Sequence, residues 1–348
     1  MTIGVIGCGF WSGYQVAAWR EADPTLQFVF CDRQAQKAQA LADRFGAAAV
    51  YTDADDLFRD ARVDAVDIIT NPGTHAALTL GASERGLPVI CQKPLATDQA
   101  TATDAVARCR ERGVALYVHE NFRWQRPIRH LKMLIDGGEV GRPFRAHLHF
   151  NSRFPVFDNQ PELARLERFV LADLGVHLLD VCRYLFGEAR RVYCVTQQVN
   201  ATIRGEDVAS ILLRMQNGMI CTVELSYATV TDLECFPQTL AEVEGEAGTI
   251  RLLPNFEYVI TTRATTRRER IELPTYDWVN PLYAVAQSAM VPLHQQFLRG
   301  LRSGDVVETT GADNLRTLAL TYAAYRSADT GRAIDTEPTQ PKTRPGAH

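Results

Sequence analysis

Along the first 120 residues, short apolar runs alternate with segments whose apolar positions recur at three and four. Ile3 to Ile6, Leu26 to Cys31, Ala65 to Ile69, Pro88 to Cys91 and Ala115 to His119 are apolar almost throughout, the pattern of strands buried on both faces. A helix ending near Arg20 follows the first strand. Gln34 to Phe45 and Thr97 to Arg112 also carry helical spacing, the latter with Thr97 and Asp98 placed to cap it. Strands of this kind separated by helices predict a doubly wound α/β unit built on a parallel sheet.

Beyond Arg123 the period shortens. After a helical stretch from Pro127 to Asp136, stopped by Gly137 and Gly138, come strand patterns at Pro143 to Asn151, Arg191 to Val199, Asp207 to Met215, Met219 to Tyr227, Gln238 to Glu244 and Thr249 to Leu253. The turn signals Gln216-Asn217-Gly218 and Glu246-Ala247-Gly248 suit hairpins, hence an open, mostly antiparallel sheet. Helical segments at Phe169 to Phe186, Pro292 to Ser303 and Ala312 to Thr330 make this second unit α+β. The predicted division is 1–122, 123–335 and a disordered Pro-rich tail, 336–348.

Composition narrows the function classes. A chain of 348 residues exceeds the roughly 250–300 at which single cores stop growing, so two units are expected. Hydrophobic residues at 46% and charged residues at 22% are ordinary for a globular protein. A net charge of -4 gives no electrostatic reason to expect nucleic acid or anionic membrane as a partner. The eight cysteines stand singly, with no CxxC pair, which predicts reduced thiols, no zinc site and a cytoplasmic location. The chain opens directly on a strand pattern without a secretory leader, and no apolar run reaches membrane-spanning length.

Gly7-Cys8-Gly9-Phe10-Trp11-Ser12 joins the first strand to the first helix. Glycine at the first position permits a sharp turn and at the second lets backbone approach a pyrophosphate, while the helix N-terminus offers free N–H groups. Ser12 replaces the third glycine and is small enough to keep helix and strand close. A tight turn with no ligand would use the same glycines. Asp32 changes that reading. It lies at the end of the second strand, ~20 residues on, where dinucleotide sites place a carboxylate for the ribose hydroxyls. The cofactor is therefore expected to be NAD, contacted by Gly7, Gly9, Phe10, Trp11, Asp32 and Arg33. Arg33 is able to accept a 2′-phosphate, which keeps NADP open as a second choice.

Gln92-Lys93-Pro94 follows a strand at the carboxyl edge of the sheet, where open α/β folds bind ligands. Lys93 there can donate to an alcohol or carbonyl oxygen; the plain alternative is a surface lysine. Asp173 and His177 are four apart, on one face of a helix, so the carboxylate can orient an imidazole base; alternatively Asp173 caps the helix and His177 fills a polar gap. Asn121, Arg123 and Trp124, in the segment that ends the first unit, suit sugar or nicotinamide contacts as well as they suit interdomain packing. Arg153 and Asp158 are further candidates for recognising hydroxyls, with a surface loop as the alternative.

Together these motifs resemble the glucose-fructose oxidoreductase, inositol dehydrogenase and rhizopine-catabolism family, Gfo/Idh/MocA. The resemblance spans Gly7 to Ser12, Asp32, Thr70 to His75, Gln92-Lys93-Pro94, Asp173 to Asp180 and Glu244 to Thr249. The family usually carries glutamate where this chain has Gln92. The resemblance implies Lys93, Asp173 and His177 as the catalytic set, and Thr70, Asn71, His75, Gln92, Lys93 and Asn121 along the cofactor. It also implies a Lys93–Pro94 bond that is often cis, and a second sheet used for homo-oligomer contacts. Cys91 to Pro94, His119 to Gln125 and Phe154 to Gln160 look like bacterial sugar dehydrogenases acting on apiose or related aldoses. The expected reaction moves hydride from a carbinol carbon, C1 of an aldose, to NAD and leaves a lactone, with no metal. His177 would take the hydroxyl proton, Asp173 would orient His177, and Lys93 would bind the reacting oxygen. Oxidation of an inositol or glycoside ring hydroxyl is the alternative reaction, and a non-catalytic dinucleotide sensor the alternative class.

Overall fold

The computed structural model describes residues 1–60 and 62–336. Among these, the first sheet consists of β1 (Thr2–Ile6), β2 (Gln27–Cys31), β3 (Ala49–Tyr51), β4 (Ala65–Ile68), β5 (Val89–Gln92) and β6 (Leu116–His119). Its order is β3-β2-β1-β4-β5-β6, with every pair parallel. The order reverses between β1 and β4, so the loops leaving their carboxyl ends diverge and open a crevice there. This is the Rossmann arrangement expected. Strand β3 and the helix Ala54–Asp60 were not predicted, since a three-residue strand gives no period to read.

The second sheet has nine strands: β7 (Pro143–Asn151), β8 (Ala189–Gln197), β9 (Val208–Met215), β10 (Ile220–Ser226), β11 (Leu240–Gly245), β12 (Gly248–Leu253), β13 (Glu257–Thr262), β14 (Thr266–Arg270) and β15 (Ile334–Asp335). They run in the order β14-β13-β12-β11-β7-β10-β9-β8-β15, antiparallel except for β7 beside β10. Strand β9 alternates buried and exposed residues along its length, as a sheet covered on one face must. The helices Val176–Phe186 and Gly311–Thr330 cover that face: Leu178, Leu179, Leu320 and Ala324 share a core with Ile211 and Val223. Edge strand β14, Thr-Arg-Arg-Glu-Arg, carries too little apolar patterning to read as a strand from sequence.

A shared core fixes the second unit against the first. The helix Met290–Ser303 packs back on the parallel layer, where Leu293, Phe297 and Leu298 share a core with Ile3, Val16 and Trp19. Arg123, buried just after β6, donates to Asp180 Oδ2 at 2.7 Å and Oδ1 at 2.5 Å, and to Asp313 at 2.8 Å. A guanidinium so enclosed is held by its carboxylates, because leaving either partner unpaired in the interior costs several kcal/mol, roughly 3–5.

The predicted helix from Phe169 to Phe186 is two pieces, a π turn at Leu171–Gly175 followed by an α-helix at Val176–Phe186. Its free N-terminal amides are met by Glu206, whose carboxylate accepts from Phe169 N and Leu171 N at 3.1 Å and from the Tyr325 hydroxyl at 2.9 Å. All eight cysteines are free thiols. Among the described residues no helix is long and apolar enough to cross a membrane. Of the expected tail, Thr336 bonds the Arg190 carbonyl at 3.0 Å, and residues 337–348 lie outside the described residues.

Candidate active site

A cleft of about 1310 Å³ runs along the carboxyl edge of the parallel sheet and is closed on its far side by the second unit. At one end stands the glycine loop. Gly7 has φ +94°, and a Cβ there would lie 2.5 Å from the Ile69 carbonyl oxygen, so only glycine fits without strain. Gly9 differs. No described atom lies within 4 Å of where its Cβ would stand, because the position faces open cleft. Ser12 is fully buried and donates to the Gly7 carbonyl at 2.7 Å, closing the turn in place of the third glycine. The helix Ser12–Ala22 begins without a side-chain cap, leaving its N–H groups for a ligand.

Asp32 bridges the loops after β1 and β2: Oδ2 accepts from Cys8 N and Oδ1 from Gln34 N, both at 2.8 Å. Phe10, Trp11, Arg33, Thr70 and Asn71 also line the cleft. An uncapped helix start, an open Gly9 and a fixed carboxylate fit the pyrophosphate and adenosine ribose of a dinucleotide. His75, expected along the cofactor, does not line the cleft. It is buried behind it, with Nδ1 2.7 Å from the Pro94 oxygen and Nε2 3.0 Å from the Thr70 oxygen, bracing the loops after β4 and β5. Burial lowers its pKa.

Gln92 is held from behind by a chain of polar side chains. Its Nε2 donates to Gln15 Oε1 at 2.7 Å and faces His119 Nδ1 at 3.3 Å, and its Oε1 accepts from Lys93 N at 3.1 Å. Gln15 in turn donates to the buried Asp67 at 2.8 Å, which also accepts from Trp19 Nε1 at 2.7 Å. Burial raises the Asp67 pKa to about 7 against the pull of those donors. The Lys93–Pro94 peptide is cis. Lys93 Nζ reaches into the cleft and donates to Asp173, to the carbonyl at 2.9 Å and to Oδ1 at 3.0 Å.

The structure corrects the expected pairing of Asp173 with His177. Asp173 sits in the π turn, whose i→i+5 winding breaks the simple α-helical spacing, and its carboxylate bonds Lys93 instead. His177 Nδ1 is bonded to Glu120 Oε1, and the ring is stacked on Phe122 with centroids 4.0 Å apart. His177 lines the cleft, and its Nε2 has no protein partner among the described residues. Burial and then Lys93 hold its pKa well below the ordinary histidine value. Asn121 lines the cleft beside it, with Nδ2 on the Ala286 oxygen at 3.1 Å.

Four other expectations for substrate contact fail. Arg123 is occupied by Asp180 and Asp313, and Trp124 is buried under Arg129, whose guanidinium lies 3.7 Å from its ring centroid. Trp124 shares a core with the parallel layer, and Arg123 ties the start of the second unit to the helices Val176–Phe186 and Gly311–Thr330. Arg153 and Asp158 are exposed outside the cleft, because the short helix Val156–Asn159 turns Val156 and Asn159 inward in their place. Sequence reading missed the residues that do form the far wall: Tyr227, Phe236 and Tyr283, with Asn159 donating to the Tyr283 hydroxyl at 3.2 Å. Phe154 supports this wall by stacking on Phe236 at 4.0 Å. These residues come from four separate segments, and no local motif joins them. Among the described residues no three His, Cys, Asp or Glu side chains converge as a metal site would need.

Residues 1–120 match the model of an oxidoreductase family with an NAD-binding Rossmann fold, and residues 128–251 match the GFO/IDH/MocA C-terminal domain. The chain belongs to the Gfo/Idh/MocA family. Among its relatives in that family, a D-apiose dehydrogenase of Paraburkholderia graminis is 40% identical over 95% of this chain and 88% of its own length. A D-apiose dehydrogenase of Rhizobium rhizogenes is 39% identical, covering 95% of this chain and 96% of its own. An oxidoreductase from Agrobacterium radiobacter, solved in complex with NAD+, L-tartaric acid and magnesium, superposes with a TM-score of 0.94 at 38% identity, covering 97% of this chain and 98% of the other. This Gfo/Idh/MocA member is an NAD-dependent oxidoreductase of CH–OH groups.

Proposed function

We propose that this chain oxidises a small aldose, D-apiose or a sugar of similar size, at C1 to give the lactone. The observation that carries this reading is the meeting of Lys93 Nζ, His177 and an aromatic wall at one end of the dinucleotide cleft. A cleft of about 1310 Å³ is larger than the roughly 300–1000 Å³ of a single small-ligand pocket, and so suits a dinucleotide together with a small second ligand. Tyr227, Phe236 and Tyr283 offer ring faces to the C–H surface of a sugar, and Asn159 and Gln160 offer polar atoms to its hydroxyls. Bound NAD supplies the hydride acceptor.

Lysine carries three N–H donors, and Asp173 takes two of them, so Lys93 keeps one for the reacting oxygen. That bond strengthens as negative charge develops on the oxygen. His177 receives the hydroxyl proton at Nε2, the ring nitrogen not bonded to protein. The free thiols fit a reducing, cytoplasmic setting. The uncovered face of the second sheet, where Tyr193, Val195, Leu212 and Ile220 lie exposed on adjacent strands, would bury itself against a second copy of the chain. A monomer by light scattering would contradict that assembly.

The test of function is a panel of aldoses, polyols and inositols with NAD and NADP, read by absorbance of the reduced nicotinamide and by acid release as the lactone hydrolyses. Turnover of D-apiose with acid release is expected, falling on the order of 10²-fold or more in Lys93→Ala and in His177→Ala. Turnover confined to inositols, or without acid release, would overturn the assignment.

A further inference from the structure

Glu120 follows β6 directly and is fully buried. Its Oε1 contacts Nδ1 of His177 and lies 3.4 Å from the Phe122 amide, while Oε2 is buried with no partner among the described residues. A purely structural role does not explain this carboxylate. A buried acid with one bare oxygen is costly, and an amide or an apolar side chain would fill the space at less cost. The residues that follow grip the same helix: Phe122 covers the imidazole face and Arg123 binds Asp180, three residues after His177. His177 is thus held by one nitrogen and by its ring face, both from the β6 side, while Asp173 is engaged by Lys93.

We propose that Glu120 is the positioning residue for His177, keeping the proton of the neutral ring on Nδ1 so that Nε2 presents its lone pair to the substrate hydroxyl. This rests on the reading of His177 as the base. In the step itself the C–H bond breaks with its electron pair passing to the nicotinamide and the carbonyl forms. The hydroxyl proton moves to Nε2, and Glu120 stays ionised, balancing the imidazolium. Without an acceptor at Nδ1 the ring is free to carry its proton on Nε2, where it would donate to the hydroxyl and could not accept from it.

The charged and titratable groups facing this pair are Lys93 after β5, His119 on β6, Arg123 in the following turn, Asp173 in the π turn, Asp180 on the helix Val176–Phe186 and Asp313 on the helix Gly311–Thr330. Burial raises the Glu120 pKa to about 7, with Lys93 and Arg123 opposing. Replacing its charge with an amide removes support for the imidazolium, so the His177 pKa falls and the acid limb of the kcat profile moves to lower pH.

The test is Glu120→Gln alone and combined with His177→Ala, assayed with NAD and the sugar found in the substrate panel. The single variant is expected to lose on the order of 10²-fold in kcat and to move the acid limb down by about one pH unit. In the His177→Ala background Glu120→Gln should cost little more, since its effect runs through the missing ring. A loss with the limb unmoved, or a full additional loss in that background, overturns the proposal while leaving His177 as the base. Full turnover in His177→Ala alone overturns the underlying reading instead. If Glu120→Gln does not fold, Glu120→Asp keeps the charge; it should leave the acid limb in place, and a displaced limb counts against the proposal.

Discussion

Gln92→Glu converts the side chain to the family's usual residue, and the structure predicts that it destabilises this protein. The direction of every hydrogen bond behind Gln92 is set by Asp67, an acceptor at the end of the chain: Trp19 and Gln15 donate to Asp67, and Gln92 donates to Gln15. The introduced carboxylate would keep the Lys93 amide as donor to one oxygen, but, having no proton to give, its other oxygen would face Gln15 Oε1 across the 2.7 Å now closed by a hydrogen bond. Turning the Gln15 amide over to satisfy the new acid only points its oxygen at Asp67. The variant therefore buries a second acid with an acceptor opposed to an acceptor, a cost of about 3–5 kcal/mol. This should appear as a fall in Tm on the order of 5–10 °C.

The sign with pH follows from burial. The folded-state pKa of the introduced glutamate would be raised above its unfolded value, just as burial raises that of Asp67 to about 7. The penalty is thus absent below the unfolded pKa, grows as pH rises from there, and is complete above the folded pKa. The Tm gap between variant and wild type should be wider at pH 8 than at pH 5. Asp67→Asn on top of Gln92→Glu lets the whole chain reverse, with the new amide donating to Gln15 and Gln15 donating to the new carboxylate, and should recover most of the loss. Thermal unfolding of wild type, the two single variants and the double variant decides it. Gln92→Glu as stable as wild type at pH 8, or a double variant worse than Gln92→Glu alone, would show that Asp67 does not set the direction of these bonds.

Asp32→Ser removes both the ribose ligand and the repulsion of a 2′-phosphate, so the ratio of kcat/KM for NAD over NADP should drop about tenfold or more; an unchanged ratio would count against Asp32. Gly9→Val and Gly7→Ala should separate binding from folding. The first fills open cleft and raises the cofactor Kd with little change in Tm, whereas the second drives a Cβ onto the Ile69 carbonyl and lowers Tm. Arg123→Met breaks buried ion pairs with Asp180 and Asp313 and should cost about 3–5 kcal/mol, with the sugar KM of the folded enzyme unchanged; a raised KM at normal Tm would return Arg123 to the substrate site.

The parallel layer was legible because its strands are apolar on both faces and its ligand-binding turns are local: Gly7, Gly9 and Asp32 fall within a single βαβ unit. Most strands of the second sheet were legible for the opposite reason, their alternation on a half-covered face. Strand β14 escaped because Arg267, Arg268 and Arg270 leave no apolar face to detect. The site was legible where spacing along the chain sets spacing in space, as for Lys93 after β5. It was not legible where tertiary packing chooses among neighbours. Asp173 and His177 share a segment, yet a π turn and the nearness of Lys93 and Glu120 assigned them different partners. Glu120 lay inside His119 to Gln125, a segment the sequence already singled out, but the strand end that turns its carboxylate inward and sends Arg123 to Asp180 leaves no mark in composition.

The proposed hydride transfer from C1 of a small sugar to NAD can be followed atom by atom with D-apiose carrying deuterium at C1. After turnover the reduced cofactor is isolated and examined by mass spectrometry. One deuterium per reduced nicotinamide and an unlabelled lactone or its acid are expected. Reduced cofactor without deuterium, or a product that keeps the label at C1, would contradict oxidation at that carbon.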